Sequence, residues 1–156
     1  MEALGIARAL HVLAVVIWIG GVAMVTTVLL PAVRRHADVS EQIELFERIE
    51  SRFAAQARWT SALAGITGFW LVWQLGLWPR FAEVRFWWMH AMVAVWTVFT
   101  VMLFVLEPLY LHRRLLERSR RDPAGTFALI QHLHWVLLVL SLVTVLGAVA
   151  GSHGFI

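Results

Sequence analysis

From Leu4 to Leu30 the chain is apolar apart from Arg8, His11 and two threonines. About 20 such residues suffice for a helix to cross the hydrocarbon core of a bilayer. Three more runs approach or exceed that length: Ala54–Trp78, Phe86–Leu111 and Phe127–Ala150. The chain of 156 residues is 60% hydrophobic, where a water-soluble domain is usually about 45–50% apolar. Its mean hydropathy is +0.74. The expected fold is all-α: an integral membrane four-helix bundle, one transmembrane domain over residues 1–156. The first run is too long for a signal-peptide core and has no basic stretch ahead of it, so it is expected to be retained.

The join after the first run carries its own pattern. Asp38 and Glu41 have the spacing of a capping box, with Asp38 as the side-chain acceptor. Ile43, Phe46, Ile49 and Phe53 then recur at helical spacing, with Glu44, Glu47, Arg48 and Arg52 largely elsewhere. This predicts an amphipathic cytoplasmic helix that lies on the membrane surface or runs straight into the second span. No Pro or Gly breaks the chain between Asp38 and Gly65, which favours continuity. Arginines set the orientation. Arg34, Arg35, Arg48, Arg52 and Arg58 lie in or beside the first join, and Arg113, Arg114, Arg118, Arg120 and Arg121 in the third. The other side has only Arg8, Arg80 and Arg85. The positive-inside rule then places the first and third joins in the cytoplasm and both termini outside it. Trp70, Trp73, Trp78, Trp87 and Trp88 gather at the non-cytoplasmic ends of spans two and three, in part an aromatic belt.

Composition excludes several chemistries. Without cysteine there are no disulfides, thiolate zinc sites or cysteine-ligated iron–sulfur clusters. All 13 basic residues are arginine, so there is no Schiff-base lysine and no Walker-A motif. The basic residues read as topology signals rather than a nucleic-acid footprint.

The histidines divide by depth. His11 lies early in span one and His90 early in span three, so both belong to the outer half, with His153 on the same side. His36, His112, His132 and His134 fall on the cytoplasmic side. An ionisable group inside a span is costly and should face protein, cofactor or water. His11, Val15, Trp18 and Gly21 share one helical face. Neutral imidazole binds metals and haem iron. Two imidazoles facing each other from parallel helices would hold a haem b plate, and His11 with His90 is the preferred pair. Trp18, Trp87 and Trp88 would pack on the ring. Met92 is an alternative axial ligand opposite His11. The segment Met89-His90-Ala91-Met92 also suits copper, although His90 and Met92 point roughly 160° apart on a helix. One of His132 or His134 could face inward, pair with His112 or His36, and hold a second haem. Glu107 would relay a proton or pair with Arg58. Gly147 and Gly151 form a small-xxx-small pattern that admits a close helix crossing, within the bundle or in a homodimer.

These residues carry a family resemblance. Leu10-His11 through Trp18-Ile19-Gly20-Gly21 resembles the first span of small bacterial membrane proteins of the copper-resistance D (CopD) and HemJ-like group. Ala57-Arg58-Trp59 leading to Gly65-Ile66-Thr67-Gly68 looks like the entry to their second span. Trp88-Met89-His90-Ala91-Met92 is similar to the W-x-H-x-K opening of their third. The HemJ likeness implies haem b bound through His11, oxidation of protoporphyrinogen and a bacterial inner-membrane location. The lysine of that motif is Met92 here, which argues against the oxidase activity. The copper-resistance likeness implies copper passage or binding. The sequence therefore predicts a membrane-embedded haem b protein for electron transfer, exchanging electrons with a quinone or a redox protein. A protoporphyrinogen oxidase, a copper-binding or copper-transporting protein, and a structural or assembly role without cofactor are its alternatives.

Overall fold

A computed structural model of the chain describes residues 2–35, 38–111, 117–118 and 121–154, with the side chains of Val39, Ser40, Glu47, Tyr110 and Leu111 left aside. Among these residues every regular element is helical. Helix α1 covers Glu2–Met24, passes through a π-helical stretch at Val25–Leu29, and ends in the single turn α2, Leu30–Val33. Helix α3, Val39–Gln74, is followed by 3-10 turns at Trp78–Ala82 and Val84–Phe86. Helix α4, Trp87–Val101, continues as a second π-helical stretch, Met102–Leu111. Helix α5 is Pro123–Ser152. Three helical segments are long and apolar enough to cross a membrane: Glu2–Val33, Val84–Leu109 and Pro123–Ser152. The run Ala54–Trp78 falls mostly in the C-terminal half of α3.

The join and the second apolar run form one helix, as the unbroken stretch from Asp38 to Gly65 suggests. Asp38 caps it, its Oδ1 accepting from the Glu41 amide at 3.3 Å. At about 1.5 Å per residue α3 is far longer than a bilayer core. Its amphipathic half does not lie flat. Ile43, Phe46, Ile49 and Phe53 pack on Val25, Leu29, Leu30, Val33, Phe127 and Ile130. Gly76 ends α3 with a positive φ of 61°; the Leu77 and Gly76 amides return to the carbonyls of Val72 and Trp73, closing a Schellman motif. Helix α5 starts four residues before the apolar run. Asp122 accepts from the Gly125 amide and Pro123 takes the first turn, where its missing N–H is no loss.

Helix α1 packs mainly on α3, and α4 on α5; α1 also meets α5, and α3 meets α4. The side-chain contacts fix an alternating direction. His11 meets Thr67, Arg58 meets Glu107, and Gln131 meets Thr26. A central cluster of Ala14, Trp18, Ile19, Val22, Ala57, Ala64, Phe99 and Leu138 joins all four long helices. The outward faces are strongly apolar, with Val16, Ile66, Trp73, Val139 and Leu146 all exposed, as a lipid environment requires. Small hydroxyl residues lie inside: Thr26, Ser61, Thr67, Thr126, Ser141 and Thr144 are buried. Each donates to a carbonyl three or four residues back, so none is left unsatisfied.

The two π-helical stretches have one cause. In the first, the Leu30 amide bonds the Val25 carbonyl, five residues back. The next carbonyl, Thr26, would receive from residue 31, which is Pro31 and has no N–H. Gln131 of α5 fills the gap, its Nε2 donating to the Thr26 carbonyl at 2.7 Å. In the second stretch Leu103 stands five residues before Pro108 and is orphaned in the same way. Arg58 of α3 fills this gap, Nε donating to the Leu103 carbonyl at 3.0 Å, and its Nη2 pairs with Glu107. Proline is tolerated in an apolar helix where a neighbour satisfies the freed carbonyl. The Arg58–Glu107 pair, one of the two roles open to Glu107, is therefore present, with a second task for the arginine.

Several glycines admit aromatic rings. A Cβ on Gly147 would overlap the Trp87 ring, and one on Gly151 the Trp88 indole, so this chain's own α4 uses the small-xxx-small face. Gly65 receives Trp96, whose Nε1 is tied to the Ser61 carbonyl at 2.9 Å. A Cβ on Gly65 would stand 2.6 Å from Trp96 Cζ2. Because the indole is anchored, Gly65→Val should cost about 1–3 kcal/mol through overpacking. A lowered unfolding midpoint in detergent is the check, and an unchanged midpoint would contradict the anchoring.

Candidate cofactor-binding site

Four consecutive residues of α3 seat its two neighbours. Gly65 admits Trp96 from α4, Ile66 points outward, Thr67 accepts from His11 of α1, and Gly68 leaves room for the His11 ring. His11 Nδ1 lies 3.0 Å from the Ala64 carbonyl and 3.1 Å from Thr67 Oγ1. The carbonyl can only accept. The Thr67 hydroxyl proton is committed to the Leu63 carbonyl at 2.6 Å. Nδ1 is therefore the protonated nitrogen, shared between two acceptors, and neutral imidazole presents its lone pair at Nε2. Among the described residues none hydrogen-bonds Nε2. A Cβ on Gly68 would stand 3.0 Å from His11 Cε1, so glycine at this position sets how closely the ring can lie on α3.

Trp18, two turns further along the same face of α1, is buried and meets Phe99 edge-on at 4.9 Å and 84°. Its Nε1 is buried without a partner among the described residues, as is that of Trp88. These two indoles sit in the protein interior, where each unmade bond is costly.

The other expected site residues are distributed differently. His90 is exposed; its Nε2 donates to the Phe81 carbonyl at 3.0 Å and its ring meets Phe81 edge-on at 5.4 Å. It thus ties the start of α4 to the 3-10 turn before it, while His11 is tied to α3, and the two share no hydrogen-bond partner. Met89 is buried and Met92 half-buried. His134 is half-buried, with Nδ1 donating to the Ile130 carbonyl at 2.9 Å, one turn back. His132 is exposed. His153 is exposed and bonds the Val149 carbonyl. His36 and His112 lie outside the described residues, so the inner histidine group is only partly placed. Among the described residues no three His, Cys, Asp or Glu side chains gather closely enough to hold a metal ion. A haem needs only one or two axial ligands, so this geometry bears on metal clusters and not on haem.

Sequence reasoning named Arg58 only as a partner for Glu107, and it missed Gln131 and the two carbonyls these side chains satisfy. Pro31 and Pro108 were the available signal, each followed to the carbonyl it orphans.

The chain matches no family model, no curated protein and no solved structure.

Proposed function

We propose that the chain crosses a bacterial inner membrane four times as a helical bundle, with both termini periplasmic, and that it binds haem b through His11 to move electrons. The observation that carries the haem reading is the tethering of His11. An imidazole that ligates a metal characteristically donates its other ring N–H to a carbonyl or carboxylate, which fixes tautomer and orientation. His11 does this through Nδ1 with two acceptors on α3. The ring is thereby held as a neutral donor with Nε2 as the free atom, and Gly68 keeps the backbone of α3 clear of the ring edge. The donor set suits haem iron, and the likeness to the HemJ-like proteins supports the same reading.

His11 would hold the group from one side. His90 remains the preferred second ligand, and to serve through Nε2 it would have to release the Phe81 carbonyl. Met92, half-buried on the same helix, is the alternative. When bound, haem b supplies one-electron exchange at a fixed depth in the membrane. The chain's own contribution is to orient the imidazole and to keep the surroundings of Trp18 and Phe99 dry, which raises the weight of every charge nearby. A quinone or a redox protein is the proposed exchange partner.

Anaerobic addition of a soluble quinol to the purified oxidised protein tests the electron-transfer reading. The reduced α-band should appear within the mixing experiment and reach the amplitude given by dithionite. Full reduction by dithionite with none by quinol would rule out exchange with quinone. Turnover of protoporphyrinogen to protoporphyrin by the same sample would move the reading to the oxidase alternative. The orientation has its own test. A periplasm-dependent reporter fused at Arg118 should be inactive and a cytoplasmic one active, and the reverse pattern would overturn the topology.

A further inference from the structure

A second site lies beside the first π-helical stretch, between the first helical segment and α5. Thr26, Thr27, Pro31 and Arg34 on the first helical segment, with Gln131 and Trp135 on α5, line a cleft of about 660 Å³. Arg34 is exposed, and none of the lining residues is acidic. Among the described residues no carboxylate pairs with the Arg34 guanidinium. Gln131 is held in place by its bond to the Thr26 carbonyl, while its Oε1 is buried and takes no donor. The cleft therefore offers the positive charge of Arg34 beside a flat indole wall, while the Thr27 hydroxyl is spent on the Ala23 carbonyl.

Its setting decides what kind of anion belongs there. Arg34 stands at the end of an apolar segment long enough to cross a membrane. Above the cleft, Trp135, Val139, Leu142 and Leu146 follow one another at helical spacing along α5, and all are exposed. Met24 and Val16 of α1 are exposed too. A ligand must meet a guanidinium at one end and an apolar helix groove at the other. Basic clefts between helices at the cytoplasmic boundary suit anionic lipid headgroups, and arginine matches phosphate oxygens with paired donors. We infer that this cleft binds an anionic phospholipid, its phosphodiester on Arg34 and its acyl chain along the groove between α1 and α5. A glycerol headgroup leaves the phosphate its net negative charge, whereas the ammonium of a choline headgroup cancels it. The inference rests on the membrane reading and is independent of the haem.

The test uses the full chain in delipidated detergent micelles, with lipid retention measured by native mass spectrometry. The probes are phosphatidylglycerol, phosphatidylcholine of the same acyl chains, and inorganic phosphate. Phosphatidylglycerol should be retained in preference to phosphatidylcholine. Arg34→Gln, a change at an exposed side chain that disturbs no packing, should weaken that retention about tenfold. Arg35→Gln, beside it but not lining the cleft, should leave it unchanged. Equal retention of the two lipids would overturn the inference, as would an Arg34→Gln variant that binds phosphatidylglycerol like the parent. Displacement of the lipid by millimolar inorganic phosphate would show a site for free anion and overturn the lipid assignment. Loss of haem with lipid retention intact would strike the proposed function and leave this inference standing.

Discussion

Replacing Arg58 with leucine should be the most destabilising single change outside the central cluster, lowering unfolding free energy by about 2–4 kcal/mol. Two bonds are lost together. The Leu103 carbonyl, orphaned by Pro108, has no other donor described, and Glu107 loses its cation. The pair is not a surface one: the side chains of Arg58 and Glu107 are 34% and 21% exposed. The value of 0–1 kcal/mol typical of surface pairs therefore underestimates it. Partial exposure also keeps it below the full cost of an uncompensated buried charge. Arg58→Lys separates the two tasks. Lysine keeps the charge for Glu107 but lacks the planar fork that reaches carboxylate and carbonyl at once, so it should recover only part of the loss. Unfolding curves in mixed detergent and denaturant for the parent, Arg58→Leu, Arg58→Lys and Glu107→Gln provide the comparison. If Arg58→Leu unfolds with the parent, the carbonyl does not depend on the arginine and this account of the π-helical stretch is wrong.

The second large effect is chemical rather than structural. His11→Ala should remove most bound haem, since an open coordination position in an apolar site is not replaced by water at comparable strength. Gly68→Val asks the same question without touching the ligand. Its Cβ would press on His11 Cε1 at 3.0 Å and its methyl groups would reach further, so the ring must turn away from Ala64 and Thr67. Haem content should fall although the histidine remains. Thr67→Val removes one of two acceptors and leaves the Ala64 carbonyl, so haem should be kept, with a shifted reduction potential as ligand basicity changes. Retention of the full haem complement by both His11→Ala and Gly68→Val would place the haem elsewhere. His90→Ala is the companion experiment, and in it the bond to the Phe81 carbonyl is lost as well.

Much of the helical architecture was legible in the sequence because it is local. Apolar run length gave the long helices, the Asp38 and Glu41 spacing gave the start of α3, and the absence of breakers gave its continuity with the join. The pairing of Glu107 with Arg58 was legible as one of two options, since opposite charges on the same side of an apolar protein have few alternatives. The ends were less so. Helix α5 begins at Pro123 because Asp122 caps it, a polar signal outside the apolar run. The π-helical stretches could not be read from periodicity, which assumes an unbroken α-helix; they arise from a missing N–H and a donor on another helix. For the site, the sequence singled out His11 and the Gly65-Ile66-Thr67-Gly68 segment separately. That one seats the other is a tertiary fact, set by which faces of α1 and α3 meet. The direction of His90 toward Phe81 depends on the 3-10 turn before α4, which no spacing rule describes.

The central claim is that His11 holds haem b, and one measurement addresses it most directly. The protein and its His11→Ala variant are purified side by side in detergent. Absorption spectra of each are taken oxidised and dithionite-reduced, with a pyridine-haemochrome count and metal analysis on the same samples. The account predicts a sharp reduced α-band of b type in the parent at about one haem per chain, or two if the inner histidines also bind. It predicts a band largely absent from a variant that still folds. A colourless parent that gains nothing on reconstitution with haem would contradict it, as would a variant whose band equals the parent's.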